Sequence, residues 1–510
     1  MDNGTAIRVN GTKPGRDVRV AIVGSGFSGL GAAIRLRQEG EDNFLVFERA
    51  DEVGGTWRQN TYPGCACDIQ SHLYSYSFAP NPSWTHSFGW QKQILEYLRD
   101  CADRFGVRPH LRFGHEVLNA QWDDDSERWR IETNQGVYTA QVFVSAMGYL
   151  SEPSIPSLPG LSSFEGKTFH SSRWDHDHDL SGQRVAVIGT GASTVQFLPK
   201  IQPEVGTLNL FQRTPPWVGP RGHKPINRLQ GWMLRNIPHY QQLRRNVNYR
   251  SREVLVWAMA HPKLMGKMQN MASGHLQKSV PDEKLRARLT PDYTMGCKRI
   301  LFSDDYYPAL QQPNVEVVTD GIREVRSNSI VTVDGQEREV DTIIFGTGFR
   351  ATSPPVANRV WGRGGLKLAD AWSDGMSAYL GTTIAGFPNM FMLLGPNTGL
   401  AHSSMVLMIE AQITYVLDCL RQMDKGDLSS VEVRSEIQHK FNDMLQNRMA
   451  GAVWNAGGCK SWYLDGNGRN SVIWPTYTWR FRRMTQRFDL ESYLARGRVH
   501  GVRPEVHQPA

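Results

Sequence analysis

Residues 18–29 read VRVAIVGSGFSG, a Val- and Ile-rich run that breaks into a glycine loop and leads into the helical pattern LGAAIRLRQEG. A continuous apolar run of this kind suits a parallel strand that is buried on both faces. In the loop, Gly24 allows a tight turn, Gly26 lets the backbone approach a pyrophosphate, and Gly29 lets the helix pack on the strand. The helix N-terminus favours phosphate charge. The stretch therefore predicts a strand–turn–helix unit of an α/β fold that binds a dinucleotide.

A carboxylate and a second glycine loop follow this unit. The run NFLVFE ends a second predicted strand in Glu48, where the carboxylate can accept hydrogen bonds from ribose hydroxyls. Gly54-Gly55-Thr56-Trp57 comes next, and FAD-binding proteins with two dinucleotide domains continue in this way. The alternative is a structural glycine turn with an exposed glutamate. We predict an FAD site that includes these residues: Gly24, Gly26, Gly29, Glu48, Gly55, Thr56, Trp57 and Val117.

The same pattern returns at residues 184–194, which read RVAVIGTGAST. Gly189, Gly191 and Ser193 are predicted to bind a second dinucleotide at the start of a second helix. Thr194 stands where the third glycine is expected, and this position serves packing rather than phosphate contact. We therefore expect the site to survive with a slightly wider gap between helix and strand.

The residue after the next strand distinguishes the two sites. Arg213, followed by Thr214, comes 24 residues after Gly189, the same offset that separates Glu48 from Gly24. A guanidinium pairs bidentately with a ribose 2′-phosphate, which a carboxylate would repel. The second site is therefore predicted to take NADPH rather than NADH, with an ordinary surface arginine as the alternative reading of Arg213.

The order of elements predicts an α/β fold with two Rossmann-like dinucleotide-binding domains and a helical insert in the second. Residues 107–144 are strand-rich, residues 315–325 and 341–349 are predicted strands that return to the second sheet, and residues 403–422 are a predicted amphipathic helix. The predicted division is FAD domain 1–150, NADP domain 151–217, helical insert 218–313, NADP domain 314–346, and FAD domain with a substrate-side segment 347–510.

Composition excludes several classes of protein. The chain has 510 residues, is 40% hydrophobic and carries a mild net charge of +7. Six cysteines argue against a disulfide scaffold, and neither a secretory signal nor a run of 18 apolar residues is present, so we expect a cytoplasmic protein without membrane insertion. The basic, aromatic run around Trp479–Arg483 is predicted to be a strand or helix surface rather than a nucleic-acid site. His176-Asp177-His178-Asp179 lacks further ligands, so no metal is expected.

A longer motif connects the two units and carries a family resemblance. Phe164, Gly166, His170 and Trp174, followed by Asp175, form FxGxxxHxxxW and an acidic residue. This pattern resembles the fingerprint of type I Baeyer–Villiger monooxygenases. The related flavin-containing N/S-monooxygenases usually carry Tyr or Phe where this chain has Trp174.

The resemblance extends over nearly the whole chain. Residues 145–148 (SAMG) and 346–348 (GTG) are similar to the family's two hinges between domains. Residues 62–64 (YPG), which lead to Asp68, and residues 395–397 (GPN) are similar to its flavin-side loops. The departures are the threonine in the second glycine loop and SAMG in place of ATG at the first hinge.

The resemblance implies roles for particular side chains. Arg299, in the segment GCKR, matches the family's active-site arginine, and Asp68 is expected to pair with it. Lys298 is similar to the lysine that contacts the NADPH phosphate together with Arg213 and Thr214.

Five further residues have expected roles. His170 and Trp174 are expected to hold the linker between the nucleotide domains, and Asn397 to lie in a cofactor loop. Trp474 is predicted either as a substrate wall or, equally, as a core aromatic. The helix that begins near Ser403 would point its positive end at the flavin.

The activity that the resemblance implies is insertion of one oxygen atom from O2 next to a ketone carbonyl, giving an ester or lactone through a C4a-peroxyflavin. A permanent guanidinium would keep the oxygen adduct anionic and stabilise the developing negative charge. Oxygenation of amines or sulfides is the alternative enzymatic activity. The non-enzymatic alternative is a flavoprotein that serves only to bind partners or to sense redox state. A flavin disulfide reductase would need paired redox cysteines, and Cys65-Ala66-Cys67 is interpreted as two free thiols.

Overall fold

The structure, a computed structural model, describes residues 16–259, 262–352 and 354–498. Up to residue 211 the chain holds two sets of strands, each with helices packed against it. The first set and its helices are β1 Asp17–Val23, α1 Phe27–Gln38, β2 Phe44–Phe47, α2 Thr56–Gln59, β3 Ala66–Gln70, β4 Phe88–Trp90, α3 Gln91–Arg104, β5 Leu111–Arg112, β6 Val117–Asp123, β7 Arg128–Thr133 and β8 Gly136–Ser145. The second set begins with β9 Lys167–His170, β10 Arg184–Ile188, α4 Ala192–Ile201 and β11 Thr207–Phe211.

The middle of the chain is a helical segment followed by short strands. Its elements are β12 Val218–Gly219, α5 Arg228–Asn236, α6 Tyr240–Met259, α7 Pro262–Ser279, α8 Glu283–Leu289, β13 Leu301–Phe302, α9 Tyr306–Leu310, β14 Val315–Val318, β15 Ile322–Val325, β16 Ser329–Thr332, β17 Glu337–Glu339 and β18 Thr342–Phe345. The C-terminal part holds β19 Val360–Trp361, α10 Leu368–Ala371, β20 Met390–Met392, α11 Met405–Lys425, β21 Leu428–Val433, α12 Ser435–Met449, α13 Val453–Ala456, α14 Thr478–Met484 and β22 Tyr493–Gly497.

The first sheet is built around β1. This strand pairs in parallel with β2 on one side and β8 on the other, and Val20 lies opposite both Phe44 and Val142. β5 extends the sheet beyond β2, and β20 pairs in parallel with the end of β8. The C-terminal part therefore returns to the sheet that the N-terminal part begins. All four residues of β2 are buried, as expected for a parallel strand covered on both faces.

The second sheet is entirely parallel, in the order β14-β11-β10-β18-β9. β10 lies at its centre, as β1 does in the first sheet, and the predicted fold class of two Rossmann-like domains with a helical insert is confirmed. One strand prediction is wrong: Ile322–Val325 does not return to this sheet with Val315–Val318. It pairs antiparallel with β16 in a separate three-stranded sheet, because its alternating partly exposed residues suit a strand covered on one face only.

Two chain crossings join the domains side by side. Ser154 donates its backbone N–H to Gly348 O (2.8 Å), and Arg350 donates to Glu152 O (3.0 Å). The predicted hinges at 145–148 and 346–348 lie at the start of these crossings. Within the described ranges, no helix combines the length and the hydropathy needed to cross a membrane.

Candidate functional site

The first glycine loop forms a cradle that leaves no room for a side chain at Gly24 or Gly29. Gly24 has φ +102°, and a Cβ there would lie 2.7 Å from Ala146 O. A Cβ on Gly29 would lie 1.8 Å from Gly24 O, so the helix α1 packs directly on the turn. Gly55 has φ +51°, and its Cβ would meet Gly26 Cα at 2.9 Å, which brings the two glycine loops together. This bare backbone fits the pyrophosphate of a dinucleotide.

A long cavity runs from this cradle along the carboxyl end of the first sheet. Glu48 lines it, and its carboxylate accepts hydrogen bonds from Ser25 N (2.9 Å), Ser25 Oγ (2.7 Å) and Ala50 N (3.0 Å). Thr56, Trp57 and Val117 also line it. Most of the residues predicted to bind FAD therefore line one cavity, whereas Gly29, Asp68 and Asn397 do not.

The far end of the cavity meets the first turn of α11. The helix begins at Met405, capped by the Ser404 hydroxyl, which accepts from Val406 N (3.3 Å), two residues after the predicted start. Met405, Val406 and Ile409 line the cavity, so the helix N-terminus faces it. Asn397 does not line it: its amide donates to Asn470 O (2.8 Å) and Ile473 O (3.0 Å), and thereby fixes the neighbouring loop.

The second glycine loop repeats the turn with one substitution. Gly189 has φ +103°, and a Cβ there would lie 2.6 Å from Gly346 O. Thr194 is fully buried, and its Oγ1 occupies the space that a Cβ on Gly346 would enter, at 1.9 Å. A glycine at the facing strand end thus makes room for the Thr194 side chain, and the wider gap between helix and strand stays a prediction. Gly191 is exposed and Ser193 is partly exposed at the start of α4, where both are accessible to a second dinucleotide.

Two cations lie beside this second loop. Arg213 is exposed. The pKa of Lys298 is lowered, mainly because Lys298 is partly buried and secondly because the positive charge of Arg213 lies nearby. Lys298 Nζ lies 5.0 Å from the centre of the Tyr293 ring. Thr214 O accepts a hydrogen bond from Thr190 Oγ1 (3.0 Å), which ties the predicted phosphate-binding segment to the glycine loop.

Arg299 and Asp68 form the predicted pair. Arg299 Nη2 lies 2.7 Å from Asp68 Oδ2 and 2.9 Å from Oδ1, and its Nε lies 3.0 Å from Oδ2. Attraction to Asp68 raises the pKa of Arg299 above its ordinary value despite burial. Burial works to raise the pKa of Asp68, but the charge and hydrogen bonds of Arg299 hold it below its ordinary value. Both groups are therefore charged across the working range of pH.

Two further arginines that sequence reasoning missed face the same carboxylate. Arg221 Nη2 donates to Cys67 O (2.8 Å), and Arg252 Nε donates to Gln70 Oε1 (3.1 Å), so both reach the strand that carries Asp68. Their charges contribute to the lowered pKa of Asp68. The pocket therefore carries a local excess of positive charge.

Aromatic side chains connect this pair to the long cavity. Tyr149, which lines the cavity, is close enough for Arg299 to act on its pKa, which burial raises. Trp462 lies 6.3 Å from the Tyr149 ring and 4.6 Å from the ring of the buried Tyr463. The Tyr463 hydroxyl is buried without a hydrogen-bond partner. An unpaired buried hydroxyl beside a cation is a group that a polar ligand atom could satisfy.

The motif between the domains lies along the edge strand of the second sheet. His170 ends β9, is buried, and lies 5.6 Å from the Phe349 ring in the second crossing. Its Nδ1 lies 2.9 Å from Ser172 Oγ, and burial lowers its pKa to about 4, so it is neutral near pH 7. Trp174 packs on Phe197 of α4, with ring centres 5.2 Å apart.

The remaining motif residues support this edge. A Cβ on Gly166 would lie 2.3 Å from Asp341 O and 2.6 Å from the Phe164 ring, so only glycine fits there. Asp175 accepts from Lys167 Nζ (2.6 Å) at the surface. The motif thus joins the edge strand, the crossing and α4, and its role as a linker stays a prediction.

Three other interpretations can be compared with the structure. Trp474 is buried, stacks edge-on with Phe481 at 5.0 Å and donates to Tyr477 O (3.1 Å), so it belongs to the core here and its part in a substrate wall stays a prediction. Cys65 and Cys67 are free, as predicted, and burial raises the pKa of Cys65 to about 12.

The two histidines of the HDHD string do not converge. His176 Nε2 lies 2.8 Å from Thr61 Oγ1, whereas His178 Nε2 lies 2.7 Å from Thr342 Oγ1. Over the part of the chain that the structure describes, no group of three or more His, Cys, Asp or Glu side chains is arranged to hold a metal.

One disulfide was not foreseen from the sequence. Cys297, directly before Lys298 and Arg299, is bonded to Cys459, 162 residues further along the chain. The two meet because the segment with Val453 and Tyr463 packs against the core of the insert. One bond in a chain of this length is not a scaffold, but it does fix the residues beside the arginine.

Two sheets, each with a glycine loop and linked by two chain crossings, define an oxidoreductase with two dinucleotide domains. The flavin-binding monooxygenase-like family model matches residues 17–361. A Baeyer–Villiger monooxygenase of Streptomyces coelicolor is 53% identical over 478 residues, which are 93% of this chain and 92% of that protein. One of Pseudomonas aeruginosa is 52% identical over 94% of this chain and 91% of its own length.

Solved structures agree with these relatives. Cyclohexanone monooxygenase from Rhodococcus sp. Phi1, bound to NADP+, superposes with a TM-score of 0.85 at 28% identity, over 94% of this chain and 99% of its own. A steroid monooxygenase bound to NADP gives 0.84 at 29% identity over 94% of this chain and 99% of its own. The chain therefore belongs to the flavin-binding monooxygenase-like family, as one of its Baeyer–Villiger monooxygenases.

Proposed function

We propose that this protein uses FAD and NADPH to insert one oxygen atom from O2 next to the carbonyl group of a ketone, releasing an ester or lactone. The observation that carries the proposal is the bidentate Arg299–Asp68 pair, whose arginine acts electrostatically on Tyr149, a residue that lines the long cavity. FAD, reduced by NADPH, supplies the activated oxygen when it is bound. Oxygenation of amines or sulfides is not favoured, because those substrates are themselves nucleophiles and do not need this fixed cation.

Arg299 serves as the catalytic cation. Its guanidinium cannot lose a proton at working pH, so it can stabilise negative charge that develops on the carbonyl oxygen. Asp68 holds the guanidinium plane through two oxygens, which fixes its direction. Leu400 O, 3.4 Å from Nη1, contributes to the same orientation. Arg221 and Arg252 compensate the carboxylate, so its charge does not cancel the attraction that Arg299 exerts on substrate.

The second glycine loop and its two cations hold NADPH. Arg213 and Lys298 are placed to share the 2′-phosphate, and Thr214 to fix the segment between the loop and Arg213. The aromatic groups Tyr149, Trp462 and Tyr463 restrict water at the cavity end, which favours oxygen transfer over loss as H2O2. We place the protein in the cytoplasm.

Arg299→Ala tests the proposal. We expect reduction of the bound flavin by NADPH to continue, while ester formation from a panel of ketones falls by about 100-fold or more, since loss of one group that stabilises an oxyanion costs about 10²–10³ in rate. Anaerobic stopped-flow absorbance measures the reduction, and gas chromatography measures the ester after O2 is admitted. NADPH consumption should persist and end in H2O2.

Arg184→Ala is the matched control. Arg184 forms a comparable pair with Asp341 (2.6 Å), but at the amino end of β10, the opposite end of the strand from the glycine loop. This variant should keep full ester formation. Ester formation at the wild-type rate by Arg299→Ala, with flavin content unchanged, would show that the active site has been assigned wrongly.

A further inference from the structure

One part of the helical insert, residues 226–281, concentrates the positive charge of the chain. Residues 226–281 contain nine Lys and Arg and a single acidic residue, Glu253, whereas the whole chain carries a net charge of only +7. Glu253 is buried and accepts from Thr478 N (3.0 Å) and Oγ1 (2.6 Å), so it does not neutralise the surface. The outer surface of the insert is therefore strongly cationic.

Several exposed cations of residues 226–281 have no acidic partner among the residues that the structure describes. On the inner side, Arg245 lies 3.8 Å from Glu410. The exposed Arg228, Arg235, Arg250 and Lys267 form no ion pair with any carboxylate of residues 16–259, 262–352 and 354–498. Some exposed arginines elsewhere on the molecule, such as Arg326, do pair with neighbouring glutamates. The insert thus presents charge that remains available to an anionic partner.

Large apolar side chains share this surface. Of the sixteen exposed large hydrophobic side chains among the described residues, eight lie on the insert. On α6 they recur at helical spacing, with Leu243 56%, Val247 52% and Val254 64% exposed. On α5, which packs against α6, Trp232 is 54% exposed. The eight are Leu229, Trp232, Ile237, Leu243, Val247, Val254, Trp257 and Met271.

The opposite face of α6 reaches the catalytic pocket. Arg252 donates to Gln70, two residues from Asp68 on β3, and Glu253 lies 3.4 Å from His402 beside the loop that precedes α11. Arg245 donates to Ser75 O (2.8 Å). One helix therefore separates the pocket from the apolar, cationic surface by a single layer of side chains.

We infer that the outer face of α5 and α6 docks on the surface of an anionic lipid membrane. A helix with a Trp- and Leu-containing apolar face and flanking Lys and Arg lies in the plane of the interface, with its apolar side chains at the boundary of the acyl chains. Anionic headgroups supply the partner charge for the unpaired arginines. A second copy of this chain fits less well, because it would bring a second set of exposed, unpaired cations against the same face.

A consequence concerns the substrate, and this part rests on the proposed function. Ketones that partition into the bilayer would be held at high local concentration beside the helix whose inner face borders the pocket. Lipophilic ketones are therefore the substrate class that docking favours over small, water-soluble ones.

Flotation of the holoenzyme with vesicles tests the docking. The wild type should float with mixed phosphatidylcholine–phosphatidylserine vesicles, should bind pure phosphatidylcholine vesicles at least about tenfold more weakly, and should be released by high salt. The double variant Val247→Asp/Val254→Asp should lose flotation by about tenfold or more. Arg235→Gln/Arg250→Gln should weaken binding to the anionic vesicles alone.

Val333→Asp is the matched control, because this valine is 62% exposed on the hairpin of β16 and β17, outside the insert. It should float like the wild type, and flavin content and melting temperature show that every variant is folded. Absence of flotation with the mixed vesicles, or full flotation of the double-aspartate variant, overturns the inference. So does a wild-type dimer in sedimentation velocity that the double-aspartate variant converts to monomer, since the face would then join two copies.

The substrate part has its own readout. The double-aspartate variant should lose rate on a long-chain ketone dissolved in the mixed vesicles and keep its rate on a water-soluble ketone. If the wild type oxidises neither ketone but still floats, the proposed function fails and the docking stands. If it oxidises both ketones with equal dependence on vesicles in wild type and variant, the delivery role is wrong.

Discussion

One side chain at the equivalent position of each glycine-loop unit indicates which dinucleotide the unit binds. Glu48 lines the first cavity and accepts three hydrogen bonds, so a carboxylate is fixed where ribose hydroxyls would approach. Arg213, at the same offset from its own loop, is exposed beside Lys298. The difference in sign at these positions is the physical basis for expecting a 2′-phosphate at only one of them.

Replacing Arg213 by Ala should therefore affect NADPH and NADH unequally. We expect the KM for NADPH to rise by about tenfold to hundredfold, since hydrogen bonds to a charged group are worth about 1.5–3 kcal/mol. The KM for NADH should change little, because it has no 2′-phosphate. Steady-state kinetics with both cofactors measure the ratio, and Arg323→Ala, an exposed arginine on β15, is the control. An equal rise for both cofactors would remove the phosphate role.

At the scale of elements, α4 packs against the end of β18 with a threonine on the helix, where the motif has glycine, and a glycine at the facing position. The position that the motif reserves for glycine holds Thr194, and the facing position holds Gly346. The sequence could predict the altered helix contact, because the motif assigns that position to packing. It could not predict the compensation, because Gly346 lies 152 residues away, directly after strand β18, whose placement depends on the whole sheet.

Gly346→Ala should destabilise this contact. The new methyl group would lie 1.9 Å from Thr194 Oγ1, and overpacking of this kind costs about 1–3 kcal/mol in free energy of unfolding. Thr194→Ala in the same chain should restore most of the loss, since the Oγ1 atom is buried without a partner and its removal costs little. Thermal unfolding of the wild type, the two single variants and the double variant measures the coupling.

Gly266→Ala is the control for that cycle, because nothing lies within 4 Å of a Cβ at this helical position. It should leave the melting temperature unchanged or raise it slightly, as alanine favours helix. If Gly346→Ala is equally harmless, or if Thr194→Ala fails to rescue it, helix and strand have more room than the structure indicates.

For the whole molecule, the sequence predicted site residues that lie close together in the chain. It did not predict which side chains from distant segments meet in the fold. The glycine loops, Glu48 and Arg213 follow from motifs whose residues are close in the chain. Arg221 and Arg252 reach Asp68 from the insert, where helical periodicity reports burial but not which side chain meets a distant strand. Arg299 was found because a family resemblance marked its segment, not because spacing located it.

The Cys297–Cys459 bond is another contact between residues that are distant in the sequence. It joins the insert to the C-terminal segment next to the active site. It closes a loop of 162 residues and fixes Cys297 two positions before Arg299, while Cys459 precedes Trp462 and Tyr463 at the cavity end. Cys459→Ser should therefore lower the free energy of unfolding by about 2–4 kcal/mol, because the unfolded chain regains the freedom of that loop. It should also raise the KM for the ketone, because the segment with Arg299 and the segment with Trp462 and Tyr463 would no longer be covalently joined.

Reductant separates the disulfide from the side chain itself. Dithiothreitol should lower the melting temperature of the wild type toward that of Cys459→Ser and should have no further effect on the variant. Enzyme isolated under reducing conditions should behave like the variant and gain stability on oxidation. A wild-type melting temperature and ketone KM that respond neither to reductant nor to the substitution would mean that packing around Val453 and Tyr463, and not the covalent bond, holds the segment beside Arg299.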